Sequence, residues 1–287
     1  MKLIVLLVVL ALRRLDVNWP TWMHHDSASG QLNASLTPSV SADGLAWILK
    51  ILLPAVLVGV AFYFLQHILW GLPAVALGVI VLLWLLGVDS EFRQLDELIV
   101  RGRMNDKEEF SALAQEKFGV EGDPEDDGYY LSLCQTISHR EAVTLFSSLF
   151  FFITLGYGAV LLYVLNRWLA ARDESGCEWA RVCDAAFYWL PSRLLILAVA
   201  LGGDFRRVME AVDGRMWSWD KSQEIFEDAA IAALETELDA EFDGRFGNDE
   251  SGNLQAGVEV LEGLQSLLLR VLAIWLIFAA IWVVLAG

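Results

Sequence analysis

Residues 45–70 form a run of 26 residues whose single Lys or Arg is Lys50, near its start. Hydrocarbon offers no water to a backbone N–H or C=O, so a run of this kind crosses a bilayer only as a helix. At 1.5 Å per residue it is about 39 Å long, enough to span a ~30 Å core with some tilt. Lys50 can extend its ammonium back to the interface. Four more apolar blocks follow. Residues 74–88 return after the tight Gly71-Leu72-Pro73 connection, residues 145–165 and 188–201 form a central pair, and residues 264–285 are interrupted only by Arg270. The chain is 56% hydrophobic, above the ~45–50% of soluble proteins, and the excess lies in these blocks. The fold class read from them is all-α: a polytopic integral membrane protein with short, glycine-broken helices and two cytoplasmic helical lobes.

The break is expected in the run 145–165. Gly156 and Gly158 lie inside it, and each glycine within a helix costs about 1 kcal/mol relative to alanine. The run therefore reads as two helices of roughly a dozen residues, each below the ~20 needed to span. Broken helices persist in lipid where protein buries them or where they line a wet cavity. One long, tilted helix with a glycine kink is the alternative, and the sequence leaves both open.

Charge divides the rest. Segments 89–141 and 204–262 hold 30 of the 37 acidic residues, and the formal net charge is -17. Such lobes repel phosphate, so neither nucleic acid nor anionic lipid headgroups are expected as partners of the lobes. Five divisions follow: an N-terminal helix, loop and transmembrane hairpin at 1–88, an acidic lobe at 89–142, broken or re-entrant helices at 143–202, a second acidic lobe at 203–263, and a last span at 264–287. Residues 1–12 are apolar, end in Arg13 and Arg14 and carry no A-x-A cleavage site, so they read as a retained short helix. Residues 15–44 read as loop, and the adjacent His24 and His25 within it as a solvated pair.

In the first lobe, 92–102 and 105–119 have helical spacing, the second with an Asn105 cap and a stop at Gly119. Residues 129–137 start a third helix, 206–212 reads as continuing a helix out of the membrane, 222–242 as helical, and 244–253 as a flexible loop without the ligand spacing of a calcium site. Three cysteines, Cys134, Cys177 and Cys183, form no C-x-x-C pair, so neither a disulfide scaffold nor a zinc site is expected. Counting Lys and Arg places both lobes and residues 15–44 inside, and the 71–73 tip and the C-terminus outside. Residues 172–184 lie inside if the central run is re-entrant and outside if it crosses once.

No phosphate loop, G-x-S-x-G or H-E-x-x-H motif occurs, so no catalytic set, metal ligand or cofactor is read from the chain. Polar residues at the edges of the apolar runs remain. Arg193 follows Pro191 within an apolar stretch, and an intramembrane arginine is costly enough to require a partner or a function. Asp184 is its expected partner. If the central run folds back, His139, Arg140, Asn166, Arg167, Asp184 and Arg193 line one pocket at the cytoplasmic face. The alternative is that they are interfacial anchors and helix caps.

These features resemble the AmpE family of inner-membrane proteins linked to β-lactamase induction. The resemblance is carried by R-R-L at 13–15, the span hairpin, L-D-E-L-I-V-R-G-R-M-N-D at 95–106, L-F-F-F-I-T-L-G-Y-G at 149–158, W-L-P-S-R-L at 189–194 and the final apolar helix. It implies a regulatory or sensory role in the response to cell-wall stress and β-lactams. It also implies a multi-pass protein of the bacterial inner membrane whose partners are the bilayer, a small cell-wall-derived or nucleotide ligand, and a membrane-protein partner or further copies of itself.

The pattern Asp184, Trp189, Pro191, Arg193, Leu194 is similar to one in the CobD/CbiB membrane synthases, which implies as alternative a membrane enzyme binding a nucleotide through magnesium. The acids that those synthases carry before the broken run are largely missing from T-I-S-H-R-E-A-V at 136–143. A small-solute transporter is a third reading, since broken helices mark transporter substrate sites.

Overall fold

The computed structural model describes residues 2–14, 47–66, 72–87, 90–124, 128–171, 178–219, 221–242 and 250–286, with backbone alone at 235–242, 250–253 and 286. Among these residues every regular element is a helix. Residues 15–44 with His24 and His25, the Gly71 connection, Cys177 and most of 244–253 lie outside the described residues. Helices Ile48–Leu65, Glu178–Gly202 and Leu254–Leu285 are long and apolar enough to cross a membrane. The described residues fall into two compact units.

The first unit holds residues 1–90, 147–190 and 278–287. It contains α1 (Lys2–Arg14), a π-helical turn (Ile48–Leu52) leading into α2 (Leu53–Leu65), α3 (Leu72–Leu86), α7 (Ser147–Thr154) and α8 (Tyr157–Ala170). At 15 residues α3 is about 22 Å long, shorter than a full span. It ends at Gly87, whose φ is +73°, where the sequence alone extends the apolar block to residue 88.

Between α7 and α8 the chain reverses. Gly156 has φ +94°, a conformation natural only to glycine. Phe151 stacks on Tyr163 with ring centroids 5.0 Å apart, and the Tyr163 and Ser147 side chains are hydrogen-bonded. Twelve residues of uninterrupted helix would separate those two rings by about 18 Å, so α8 returns along α7. The helices before and after the turn have 8 and 14 residues.

The α7–α8 hairpin packs on α2, with which α8 runs antiparallel. At their crossing the backbones meet: a Cβ built on Gly158 would lie 2.6 Å from the Ala55 carbonyl oxygen and 3.1 Å from Gly59 Cα. Small residues at such crossings are how helices associate where no hydrophobic drive exists between them. Aromatic rings fill the flanks. Phe62 stacks on Tyr157 at 3.9 Å, and Trp84 meets Trp168 edge-on. The unit thus has two ends. One carries Lys2, Gln66 and the turn at Leu155–Gly156; the other carries Trp47, Asn166 and Arg167.

The second unit holds residues 91–146 and 191–277. Here α4 (Glu91–Arg103), α5 (Lys107–Phe118), α6 (Tyr129–Glu141), a π-helical turn (Ala142–Phe146), α10 (Phe205–Ala211) and α11 (Ser222–Phe242) form the packed body. Two further helices contribute to both units: α9 (Glu178–Gly202) and α12 (Glu250–Ala286). Helix α4 buries Leu95, Leu98, Ile99 and Gly102, the i, i+3, i+4, i+7 stripe of an amphipathic helix. Glycines let helices close in: a Cβ on Gly257 would fall 2.0 Å from the Tyr130 ring, and one on Gly102 2.3 Å from Val258.

Three expectations need correction. The cap of α5 is Asp106, whose carboxylate accepts the Glu109 N–H at 3.1 Å. Asn105 takes φ +60° instead, a left-handed position that Asn tolerates and that ends the preceding turn. The stretch 206–212 does not continue the helix before it. Gly203 interrupts, and Asp204 caps a separate α10 by accepting from the N–H groups of Arg206 and Arg207. Helix α12 already starts at Glu250, so residues 250–253 belong to a helix and not to a loop.

Candidate functional site

The six candidate residues divide between the units. In the first, Asn166, Arg167 and Asp184 come together where α8 ends and α9 begins. Asn166 is fully buried. Its Oδ1 accepts from the Trp47 indole N–H at 2.8 Å, and its Nδ2 donates to the Ala180 carbonyl at 3.0 Å. One side chain so fastens α8 to two separate segments. A buried amide with both ends used is inexpensive, and removing either partner strands the other.

Arg167 Nη1 donates to Asp184 Oδ2 at 2.7 Å. Asp184 Oδ1 is buried and has no hydrogen-bond partner among the described residues. The carboxylate is thus half satisfied by a partly exposed arginine. The expected Asp184–Arg193 pair is not what organises this region: Asp184 is held by Arg167, seventeen residues earlier.

In the second unit, Arg193 and His139 both reach the start of α11. Arg193 is buried, with 5% of its surface exposed. Its Nη2 donates to the Ser218 carbonyl at 2.7 Å and to Ser222 Oγ at 3.2 Å. This guanidinium ties α9, next to the in-helix Pro191, to the turn that opens α11. His139 Nδ1 lies 3.9 Å from Glu227 Oε1, and Gln223 Nε2 donates to the same oxygen at 2.7 Å. Glu141, at 1% exposure, and the fully buried Ser138 lie on the same helix as His139. Arg140 goes elsewhere: it donates to the Lys117 carbonyl and lies 6.0 Å over the Phe118 ring, closing the C-terminal end of α5 as a cation should.

Sequence reasoning did not find Trp47, Ser218, Ser222 or Glu227. An interfacial Trp at the head of the longest apolar run was a usable signal for the first. The serines and Glu227 carry none, since they are ordinary members of a polar and acidic segment.

Burial pushes the Glu227 carboxyl above its usual range. Asp228 and Glu224 add to the rise, and the Gln223 hydrogen bond opposes it. An acid whose folded pKa is raised favours the folded state when protonated, so its contribution is lost as pH rises from the unfolded value of about 4.5 through the folded one. Glu227→Gln is therefore expected to stabilise the protein at pH 7 and to flatten its melting temperature between pH 4.5 and 7. An unchanged pH profile in thermal denaturation would remove Glu227 from that dependence.

Among the described residues no three His, Cys, Asp or Glu side chains are grouped to hold a metal ion, and magnesium is held chiefly by carboxylates and phosphates. Asp184 is already paired with Arg167. Comparison with protein-family models, curated proteins and solved structures finds no match to the chain.

Proposed function

We propose that the chain is a multi-pass inner-membrane protein of the AmpE type, which senses cell-wall stress and acts on β-lactamase induction. The observation that carries this reading is α9, an apolar candidate span that holds Asp184 and Arg193 in two separate polar clusters. Ionised groups in a span are expensive, and they are retained where they serve a site or a switch. A helix bearing both clusters is suited to couple them.

The order of the R-R-L, L-D-E-L-I-V-R-G-R-M-N-D, L-F-F-F-I-T-L-G-Y-G and W-L-P-S-R-L motifs supports the family. The α7–α8 hairpin is read as re-entrant, with its tip at Leu155–Gly156 facing outward. The bases Arg13, Arg14, Lys50 and Arg167 belong to the opposite end, which the positive-inside rule assigns to the cytoplasm.

The test is a deletion strain challenged with a β-lactam inducer and complemented with the wild-type gene or with Arg193→Lys. Lysine keeps the charge but not the planar fork. Altered β-lactamase induction that wild type restores and Arg193→Lys does not is the expected result. Induction and β-lactam tolerance unaltered by deletion contradict the reading.

A further inference from the structure

Where α2 and α8 cross, the glycines that bring the two backbones together also leave a cleft. It encloses about 510 Å3 and is walled by Ala55, Val56, Gly59, Val60, Tyr63 and Gly158, within the ~300–1,000 Å3 of small-molecule sites. Lys2 and Gln66 also line it, together with the α7–α8 turn. None of its lining residues is an acid.

The Lys2 ammonium donates to the Ile153 carbonyl at 3.2 Å. Lysine has three donors, and no acidic partner faces Lys2 among the described residues. The cleft is open on its outer side, where Val56 is 53% and Val60 48% exposed. It therefore offers a long apolar wall ending at one cation.

We infer that the cleft binds an anionic phospholipid, with one acyl chain along α2 and α8 and the phosphate on Lys2. The chain covers apolar surface that the crossing leaves open, and the phosphate supplies the counter-charge that the lining lacks. A zwitterionic lipid supplies the same chain with a neutral head and is held less well. This inference does not depend on the regulatory role, because its test reads lipid retention alone.

The full-length protein, stripped of lipid in detergent, is titrated with phosphatidylglycerol and with phosphatidylcholine of the same chains, and bound lipid is counted by native mass spectrometry. One phosphatidylglycerol is expected to bind about fivefold more tightly than phosphatidylcholine, the worth of a single lysine beside an anionic head. Lys2→Gln should abolish that preference while keeping binding at the phosphatidylcholine level. Val60→Trp, which fills the cleft from its exposed side, should lose both lipids, and Val56→Trp provides a second filler should the first fold poorly. Retention of the preference in Lys2→Gln, or wild-type binding in both folded tryptophan variants, overturns the inference. So does competition by glycerol 3-phosphate at the lipid's own concentration, which assigns the cation to a head without a chain.

Discussion

Gly158→Ala lowers the stability of the protein by about 1–3 kcal/mol, the usual cost of forcing a methyl group into filled space, whereas Gly59→Ala does not. The two glycines face each other across one helix crossing but are not equivalent. A Cβ on Gly158 would meet the Ala55 carbonyl oxygen at 2.6 Å, a backbone atom that cannot turn aside. A Cβ on Gly59 would meet Gly158 Cα at 3.6 Å, an ordinary contact. Gly59 also sits inside α2, where alanine gains about 1 kcal/mol in helix propensity. Unfolding in a denaturing detergent series, followed by circular dichroism, separates the two variants. Equal and small effects would mean that the helices are not in backbone contact there.

Arg193→Met is expected to cost about 3 kcal/mol, since hydrogen bonds from a charged donor are worth ~1.5–3 kcal/mol each and their acceptors stay behind. Methionine matches much of the volume, so the loss reports the guanidinium's polar contacts, those to the Ser218 carbonyl and Ser222 Oγ among them, rather than a cavity. Ser222→Ala alone should cost less and should add nothing in the Arg193→Met background, because the bond it removes is already gone. Full additivity in that double-mutant cycle would show that Arg193 does not use Ser222.

The same arginine marks how far the sequence could be read. An isolated polar or charged residue in an apolar run advertises itself, and Arg193, Asn166 and Asp184 stand out in that way. Their partners do not. Ser218 and Ser222 lie 25 and 29 residues further on, in a turn with no pattern to single them out. The Arg167–Asp184 pair closes over an intervening segment whose length alone does not set its geometry. Helix spacing in 92–102 and 222–242 was plain, because a stripe such as Leu95, Leu98 and Ile99 repeats locally. The cap of α5 lies one residue beyond the position the sequence suggests, since Asn105 and Asp106 both suit a cap and only the left-handed backbone at Asn105 decides between them. Gly156 and Gly158 do not tell a kink from a reversal. The reversal is visible in contacts such as the Phe151–Tyr163 stack, across twelve residues of sequence.

Membrane insertion of the first unit, with its basic end inward, is tested most directly by two single cysteines in a variant lacking Cys134, Cys177 and Cys183. One replaces Leu72, which is 70% exposed and starts α3. The other replaces Ala171, exposed at the end of α8. Cells with a permeabilised outer membrane are treated with an impermeant maleimide, and lysed cells report that both sites are accessible. Labelling of Leu72→Cys in intact cells, and of Ala171→Cys only after lysis, is the predicted result. Labelling of Ala171→Cys in intact cells with Leu72→Cys protected would reverse the orientation, and labelling of both would contradict insertion itself.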